Sequence, residues 1–362
     1  MVQENKEIIA CLKLIRWHGA SVKQKYKVVM DMGSFTAAVG LKKVDWEKKL
    51  QKKLSIHSMP IQCCVDADHV WLKQLGNYFV SIFDNDYPES LKQLTDPPLG
   101  LYIKGNIKAL SSIQIAIVGS RRQTPMGKKI AGQFSQDLCR SGITITSGLA
   151  KGIDASAHYA ACEVQGQTIA ILGCGLDIVY PRQNQPLAEL IQTHGCLVSE
   201  FPIGTPPRRE NFPARNRIIA GLSEGVLVVE AAKRSGSLIT ARLACELGKE
   251  VFAVPGSILS SQSIGCHWLI QQGAVLAQNI DDILFELQLP ILLKAKLEEA
   301  PSKTKIDRNC EVLDLMGFEA TSVDDLCMRS NFDFQTLSLR LMELELDGLI
   351  ARAHNGDYFR LT

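Results

Sequence analysis

The chain has 362 residues, 46% of them hydrophobic and 22% charged, with a formal net charge of +2. At roughly 100 to 200 residues per domain this length predicts two or three folded units, and the apolar-to-charged balance excludes a disordered or fibrous chain. No run approaches a membrane span, the apolar stretch Ile8–Ile15 lacks a leader's cleavage site, and eleven scattered cysteines without a CxxC pair fit a reducing cytoplasm better than a disulfide framework or zinc site.

The charge is uneven. Residues 1–111 hold 16 Lys and Arg against 11 Asp and Glu, while residues 301–362 hold 7 against 11, so the two ends face different partners. Helical spacing over Glu7–Trp17, Val22–Asp31 and Trp46–Leu54, punctuated by Gly19, Gly33 and Gly40, predicts a small helical domain over residues 1–75. Tyr87-Pro88 and Asp96-Pro97-Pro98 mark a connector, and Leu99–Ile103 reads as a strand entering the next unit.

From Ile113 the pattern changes to short Ile- and Val-rich runs alternating with longer segments: Ile113–Val118, Ile143–Thr146, Thr168–Leu172, Cys196–Ser199, Val226–Val229 and Val251–Val254. Such runs fit buried parallel strands. Helices are predicted over Gly127–Arg140, Ile153–Val164, Gln185–Thr193, Arg215–Leu222, Leu238–Leu247 and Cys266–Gln272. Residues 76–289 are thus expected to form a Rossmann-like, doubly wound α/β domain. Pro290–Asp307 reads as a linker. Helices at Arg308–Met316, Val323–Met328 and Phe334–Leu346, then strands flanking Asn355-Gly356, predict a winged helix over residues 308–362.

In an open parallel sheet, ligands gather beyond the carboxyl ends of the strands. The loops there are Gly119-Ser120-Arg121-Arg122, Ser147-Gly148-Leu149-Ala150-Lys151-Gly152 and Gly173-Cys174-Gly175. Glycine permits close backbone approach to a phosphate, Ser120 can donate to it, and Arg121 can make two charge-assisted bonds. One such loop alone favours a plain chain turn; three on one rim with an arginine cluster favour phosphate. Standard nucleotide motifs are missing. Neither glycine loop completes GxGxxG, the second strand ends in Thr146-Ser147 without a ribose-binding acid, and no GxxxxGK[ST] occurs. NAD and ATP are therefore poor candidates, and no cofactor is assigned.

A second cluster runs Arg208-Arg209-Glu210-Asn211-Phe212-Pro213-Ala214-Arg215-Asn216-Arg217 and resumes at Lys233-Arg234-Ser235-Gly236-Ser237. Sequence-tolerant binding of single strands needs a basic track for the backbone and aromatic faces for unstacked bases. Phe212 among arginines fits that need, though a core position is equally natural for one aromatic. Ser235-Gly236-Ser237, opening a helix, suits a second phosphate or an ordinary cap. Asp154 and His158, four apart on a helix, could form an acid–base pair, but no nucleophile elbow or metal-ligand set accompanies them.

Taken together, Ala116-Ile117-Val118-Gly119-Ser120-Arg121, Ser147–Asp154, Phe212-Pro213 with Arg215–Leu222, and Ser235–Ala241 make the chain resemble the DNA-processing protein A (DprA/Smf) family of bacterial natural transformation. The resemblance implies a cytoplasmic, non-enzymatic mediator. Such a protein binds and protects incoming single-stranded DNA, dimerises through its central domain and loads a RecA-type recombinase. It implies that Gly119, Ser120 and Arg121 grip a phosphate, Arg209 adds a basic contact and Phe212 stacks on a base, with Arg215 and Arg217 lining or bracing the pocket. Lys151, Asn216, Lys233, Ser235, Gly236 and Ser237 complete the expected nucleic-acid-binding set, and the amino-terminal helices would be a sterile-alpha-motif-like domain.

Two other readings compete. The central domain is also similar to phosphoribohydrolases acting on nucleoside monophosphates, but Leu243 stands where their PGGxGTxxE motif has its catalytic Glu. A duplex-DNA regulator would read DNA with its winged helix, yet Glu343, Glu345 and Asp347 with only Arg340 opposing make that helix unsuited to phosphates.

Overall fold

The computed structural model describes residues 6–54, 59–289, 311–316, 320–330, 332–353 and 356–361. The expected linker 290–307, the first residues of the helix expected from Arg308, and Asn355 of the hairpin turn lie outside the described residues.

Five helices come first: α1 (Lys6–Arg16), α2 (Val22–Met32), α3 (Phe35–Gly40), α4 (Lys43–Leu50) and α5 (Asp66–Leu72). Here α4 stops four residues short of Leu54, because Gln51 turns into the left-handed region at φ 52°. α3 is a short helix across the interval expected between Gly33 and Gly40; Ser34 starts it by accepting the Ala37 N–H.

Strand β1 (Asn77–Ser81), helix α6 (Glu89–Lys92) and strand β2 (Gly100–Gly105) lead into β3 (Gln114–Val118), α7 (Pro125–Arg140), β4 (Thr144–Ser147), α8 (Ile153–Glu163), β5 (Thr168–Ile171), α9 (Gln185–His194) and β6 (Cys196–Ser199). Then follow α10 (Asn211–Leu222), β7 (Gly225–Val228), α11 (Ser237–Glu246), β8 (Glu250–Ala253), α12 (Ile264–Gln271), β9 (Val275–Leu276) and α13 (Ile280–Glu286). The nine strands are ordered β1-β2-β6-β5-β4-β3-β7-β8-β9. From β6 to β9 all pairs are parallel, while β1 and β2 add an antiparallel edge. All six parallel strands read from the sequence are present, within a residue at each end. The strand order reverses between β3 and β7, so the crevice at their carboxyl ends is the topological switch point.

Strand alternation gives the sheet two apolar faces. Ile115 and Ile117 of β3 join Phe134 of α7 and Ala157 of α8 on one face. Ala116 and Val118 join Ile218 and Ile219 of α10 on the other. Cys11, Leu14, Phe35 and Trp46 of the amino-terminal helices belong to that same second cluster, with Val80 and Leu101 of the sheet edge. Fully buried Asp68 adds a polar tie. It pairs with Arg16 of α1 and accepts from Tyr102 Oη of β2 (3.0 Å) and from the Ile203 N–H (3.3 Å), so the buried carboxylate is satisfied on all sides.

The last unit comprises α14 (Glu311–Leu315), α15 (Val323–Arg329), α16 (Phe334–Leu346) and the antiparallel pair β10 (Ile350–Arg352) and β11 (Tyr358–Arg360). Leu326, Leu337, Leu341 and Ile350 build its separate core. This is the expected winged helix.

Candidate nucleic-acid interface

An open cleft of about 870 Å³ lies at the switch point. Gly119, Ser120, Arg121, Arg209, Phe212, Arg215, Asn216, Ser235, Gly236 and Ser237 all line it, as do Arg122, Tyr180 and Arg234. Lys151 and Lys233 are exposed but lie outside that lining.

Phe212 occupies the first turn of α10, not a loop. The helix begins at Asn211, four residues before the expected start, because Pro213 falls in the first turn, where its missing N–H costs nothing. Asn211 anchors that turn by donating Nδ2 to the Gly173 carbonyl (3.0 Å). The half-exposed Phe212 ring then has Arg121 Cζ 5.8 Å from its centroid, Arg215 Cζ 6.0 Å away and the Tyr180 ring at 5.5 Å. Cations over a ring face are attracted by its quadrupole.

The two arginines beside this ring differ. Arg121 is exposed and extends from the loop after β3. Arg215 is 4% exposed and donates Nη1 to the carbonyls of Gly148 (2.7 Å) and Ile171. Burial lowers the pKa of its guanidinium to about 10; Asp154 opposes that shift and Arg121 adds to it. Asp154 is itself buried. Burial raises its carboxyl, against the opposing effects of Arg215 and the N–H groups of Ala150 and Gly148. Gly148 is required here, since a Cβ would overlap the Arg215 guanidinium. The glycine after β4 therefore accommodates a protein cation, where the sequence suggested a phosphate.

Arg217 does not reach the cleft. Its guanidinium is buried between Glu200 (2.6 Å) and Asp96 (3.0 Å). Burial opposes its charge, but these two carboxylates more than offset that and raise its pKa. Residues two apart on a helix point about 200° apart, so Arg215 and Arg217 could not both face one pocket. Asp154 and His158 do not pair either. Asp154 accepts from the Gly148 N–H (3.2 Å), while His158 Nδ1 meets Thr168 Oγ1 at 2.6 Å.

Glu230, which the sequence did not single out, follows the end of β7. Its carboxylate accepts from the N–H (3.0 Å) and hydroxyl of Thr124, the cap of α7. Burial raises its pKa, opposed by those Thr124 bonds. A Cβ at Gly127 would overlap this carboxylate. The α7 terminus is where a dinucleotide-binding sheet seats a pyrophosphate, and here it already holds an anion. At the start of α11, the Leu238 and Ile239 N–H groups bond back to the Ser235 and Gly236 carbonyls. The terminus therefore presents the Ser235 and Ser237 hydroxyls, 2.7 Å apart, more than a fan of N–H groups.

Leu243 packs against the core and lies outside the cleft lining. On α16, Arg340 is paired with Glu343 (3.2 Å). No helix among the described residues is long and apolar enough to cross a membrane.

A family model described as DNA recombination-mediator protein A matches residues 78–288, and one described as the DprA winged helix domain matches residues 297–356. Protein Smf of Escherichia coli (strain K12) is 44% identical over 306 residues, covering 82% of this chain and 81% of that protein. DNA processing protein DprA of Streptococcus pneumoniae (strain R6) is 48% identical over 208 residues, covering 58% and 73%. The X-ray structure of DprA from Streptococcus pneumoniae superposes with a TM-score of 0.67 at 38% identity, covering 78% of this chain and 98% of that one. DprA from Helicobacter pylori, described for its single-stranded DNA binding mode, gives 0.53 at 32% identity, covering 58% and 95%. With its central and carboxyl-terminal units both matched, the chain belongs to the DprA/Smf family of DNA recombination-mediator proteins.

Proposed function

We propose that the chain binds single-stranded DNA in the switch-point cleft and acts, without catalysis of its own, as a cytoplasmic mediator that protects incoming strands and loads a RecA-type recombinase during natural transformation. The observation that carries the DNA reading is the half-exposed Phe212 ring beside the Arg121 and Arg215 guanidiniums, in a cleft rimmed by Arg122, Arg209 and Arg234. A ring for an unstacked base beside cations for its phosphates is what sequence-tolerant single-strand binding requires. Gly119 and Ser120 set the backbone of the phosphate loop, Arg121 and Arg209 bind phosphates, and Asn216, Ser235, Gly236 and Ser237 contribute polar contacts. Lys151 and Lys233 act at longer range, as exposed charges outside the lining.

The described DNA binding of the Helicobacter pylori relative supports this reading. Recombinase loading, transformation and dimerisation rest on the family resemblance. For the dimer we favour the outer face of α12, where Trp268 is 50% exposed and Leu269 is buried, together with Ile258 and Leu259 of the preceding loop, exposed at 85% and 83%. The core-facing Leu243 speaks against phosphoribohydrolase chemistry, which needs a carboxylate there. The Arg340–Glu343 pair speaks against duplex reading by α16.

The test is anisotropy with labelled oligo-dT, with duplex as competitor. Wild type should prefer the single strand with a steep salt dependence, and Arg121→Ala with Arg209→Ala should abolish binding in a folded protein. Unchanged affinity in that double variant would sink the assignment. Recombinase filament growth on protein-coated single strands, with and without this chain, tests the loading step.

A further inference from the structure

Segment 208–213 is a ridge with two sides. Arg209, Phe212 and Pro213 line the switch-point cleft, while Arg208, Glu210 and Asn211 line a second groove of about 440 Å³. The far wall of that groove is the turn between α1 and α2, with His18, and the first turn of α2, with Lys25. Lys25 is 5% exposed and has no ion pair among the described residues. Its ammonium makes one long bond, 3.4 Å to the Ile15 carbonyl. A buried cation without a carboxylate is costly, and burial already lowers this one to about 8. The ammonium, which also faces the Cys11 and Cys63 thiols, thus stands in the groove wall without a carboxylate partner among the described residues.

Phe201, half-buried, lines the same groove, and Arg208 is exposed at its edge. A ring and two cations reproduce the chemistry of the first cleft. Two carboxylates also border the groove. Glu200 is neutralised by Arg217 at 2.6 Å, and Glu210 is exposed, where solvent and salt screen it.

Resting on the single-strand reading above, we propose that this groove is a second single-stranded DNA site. It takes the stretch of strand that passes over the 208–213 ridge, with Lys25 and Arg208 on its phosphates and Phe201 against a base. The amino-terminal helices then form part of the DNA path.

The experiment uses the full chain with labelled dT6 and dT20 across a salt series, comparing wild type, Lys25→Met, Arg208→Ala, their double variant and Arg121→Ala. The expected result is that the double variant binds dT6 like wild type but loses about tenfold or more for dT20, with its salt slope reduced by about 1.4 for two phosphate contacts. Equal dT20 affinity and slope in wild type and double variant would overturn the proposal. Saturable binding of thymidine monophosphate that requires Lys25 would do the same, reassigning the groove to a mononucleotide. Should Lys25→Met fail to fold, Arg208→Ala, at an exposed position, decides by itself through a slope change of about 0.7. Failure of the underlying reading looks different: dT6 and dT20 would both bind Arg121→Ala as tightly as wild type.

Discussion

Arg121 and Arg215 approach the same ring, yet replacing them should break different properties. Arg215→Met removes the donor to two buried carbonyls and the cation beside buried Asp154. Hydrogen bonds from a charged donor contribute about 1.5–3 kcal/mol each, and stranding a buried charge costs about 3–5 kcal/mol. These losses overlap, and Asp154 can take up a proton because burial already raises its pKa. A net loss of about 3–5 kcal/mol follows, or about 10 °C in melting temperature at ~2–4 °C per kcal/mol for a unit of this size. Arg121→Ala removes an exposed side chain whose ring contact is worth about 0.5–1 kcal/mol, so the melting temperature should stay within about 4 °C. Its DNA affinity should nevertheless fall ~10- to 100-fold, the loss of one charged phosphate contact worth ~1.5–3 kcal/mol, with the salt slope reduced by about 0.7. Thermal unfolding by circular dichroism, paired with oligo-dT anisotropy from low to high salt, separates the two. An Arg215→Met protein that melts like wild type would refute the assignment of Arg215 as a brace. So would an Arg121→Ala protein that loses stability but keeps its DNA affinity.

Phe212→Ala should weaken single-strand binding by about 1–3 kcal/mol, the loss of one stacked base, while leaving the salt slope of wild type; a changed slope would mean the ring orders the arginines. Glu230→Ala should cost about 1–2 kcal/mol through the lost hydrogen bonds from the Thr124 N–H and hydroxyl and the lost charge at the α7 terminus. Millimolar sulfate should restore its melting temperature, and a variant indifferent to sulfate would show that the terminus is no anion site. His158 gives a pH signature. Thr168 Oγ1 donates its only proton to the Ile145 carbonyl (2.8 Å), so the imidazole must donate from Nδ1, and Nε2 has no partner among the described residues. Burial lowers the imidazole to about 3, below the ~6.5 of an unfolded chain, so its contribution is complete above pH ~6.5 and declines as pH falls toward 3, by up to about 1.4 kcal/mol per unit. His158→Gln should flatten urea midpoints between pH 6.5 and 4.5; an unchanged slope would place the acid sensitivity elsewhere.

Strands β3 to β8 were legible because buried parallel strands must be apolar on both faces, and runs such as Ile115-Ala116-Ile117-Val118 leave little else to be. β1 was not: Asn77–Ser81 starts polar and has one exposed position in its middle. β9 has only two residues, below any periodicity. At the cleft, the loop after β3 and the basic segment were legible as chemistry, whereas their division of labour was not. Whether an arginine meets solvent or a buried carboxylate depends on which way a helix face points. Tyr180 and Glu230 carry no local signature. Only the pairing of β3 with β7, Val118 opposite Val228, brings Glu230 against the loop that ends at Thr124.

That pairing also bears on why a doubly wound sheet should hold a polymer. Such a sheet offers a small cofactor two things at its switch point: glycine-lined space and a helix terminus for phosphate. Here both are occupied from within. Arg215 occupies the space at Gly148, and the Glu230 carboxylate occupies the α7 terminus. What remains is an open rim of exposed arginines around the half-exposed Phe212 ring and the exposed Tyr180 ring beside it. An open rim leaves much of a small ligand's surface in water, whereas tight small-ligand sites bury most of it. A long strand needs no enclosure, because many weak phosphate and stacking contacts along it add up. On the single-strand reading proposed above, the internal carboxylate and the internal cation act together as a specificity device, filling the two places a small cofactor would use and leaving the open rim to a strand.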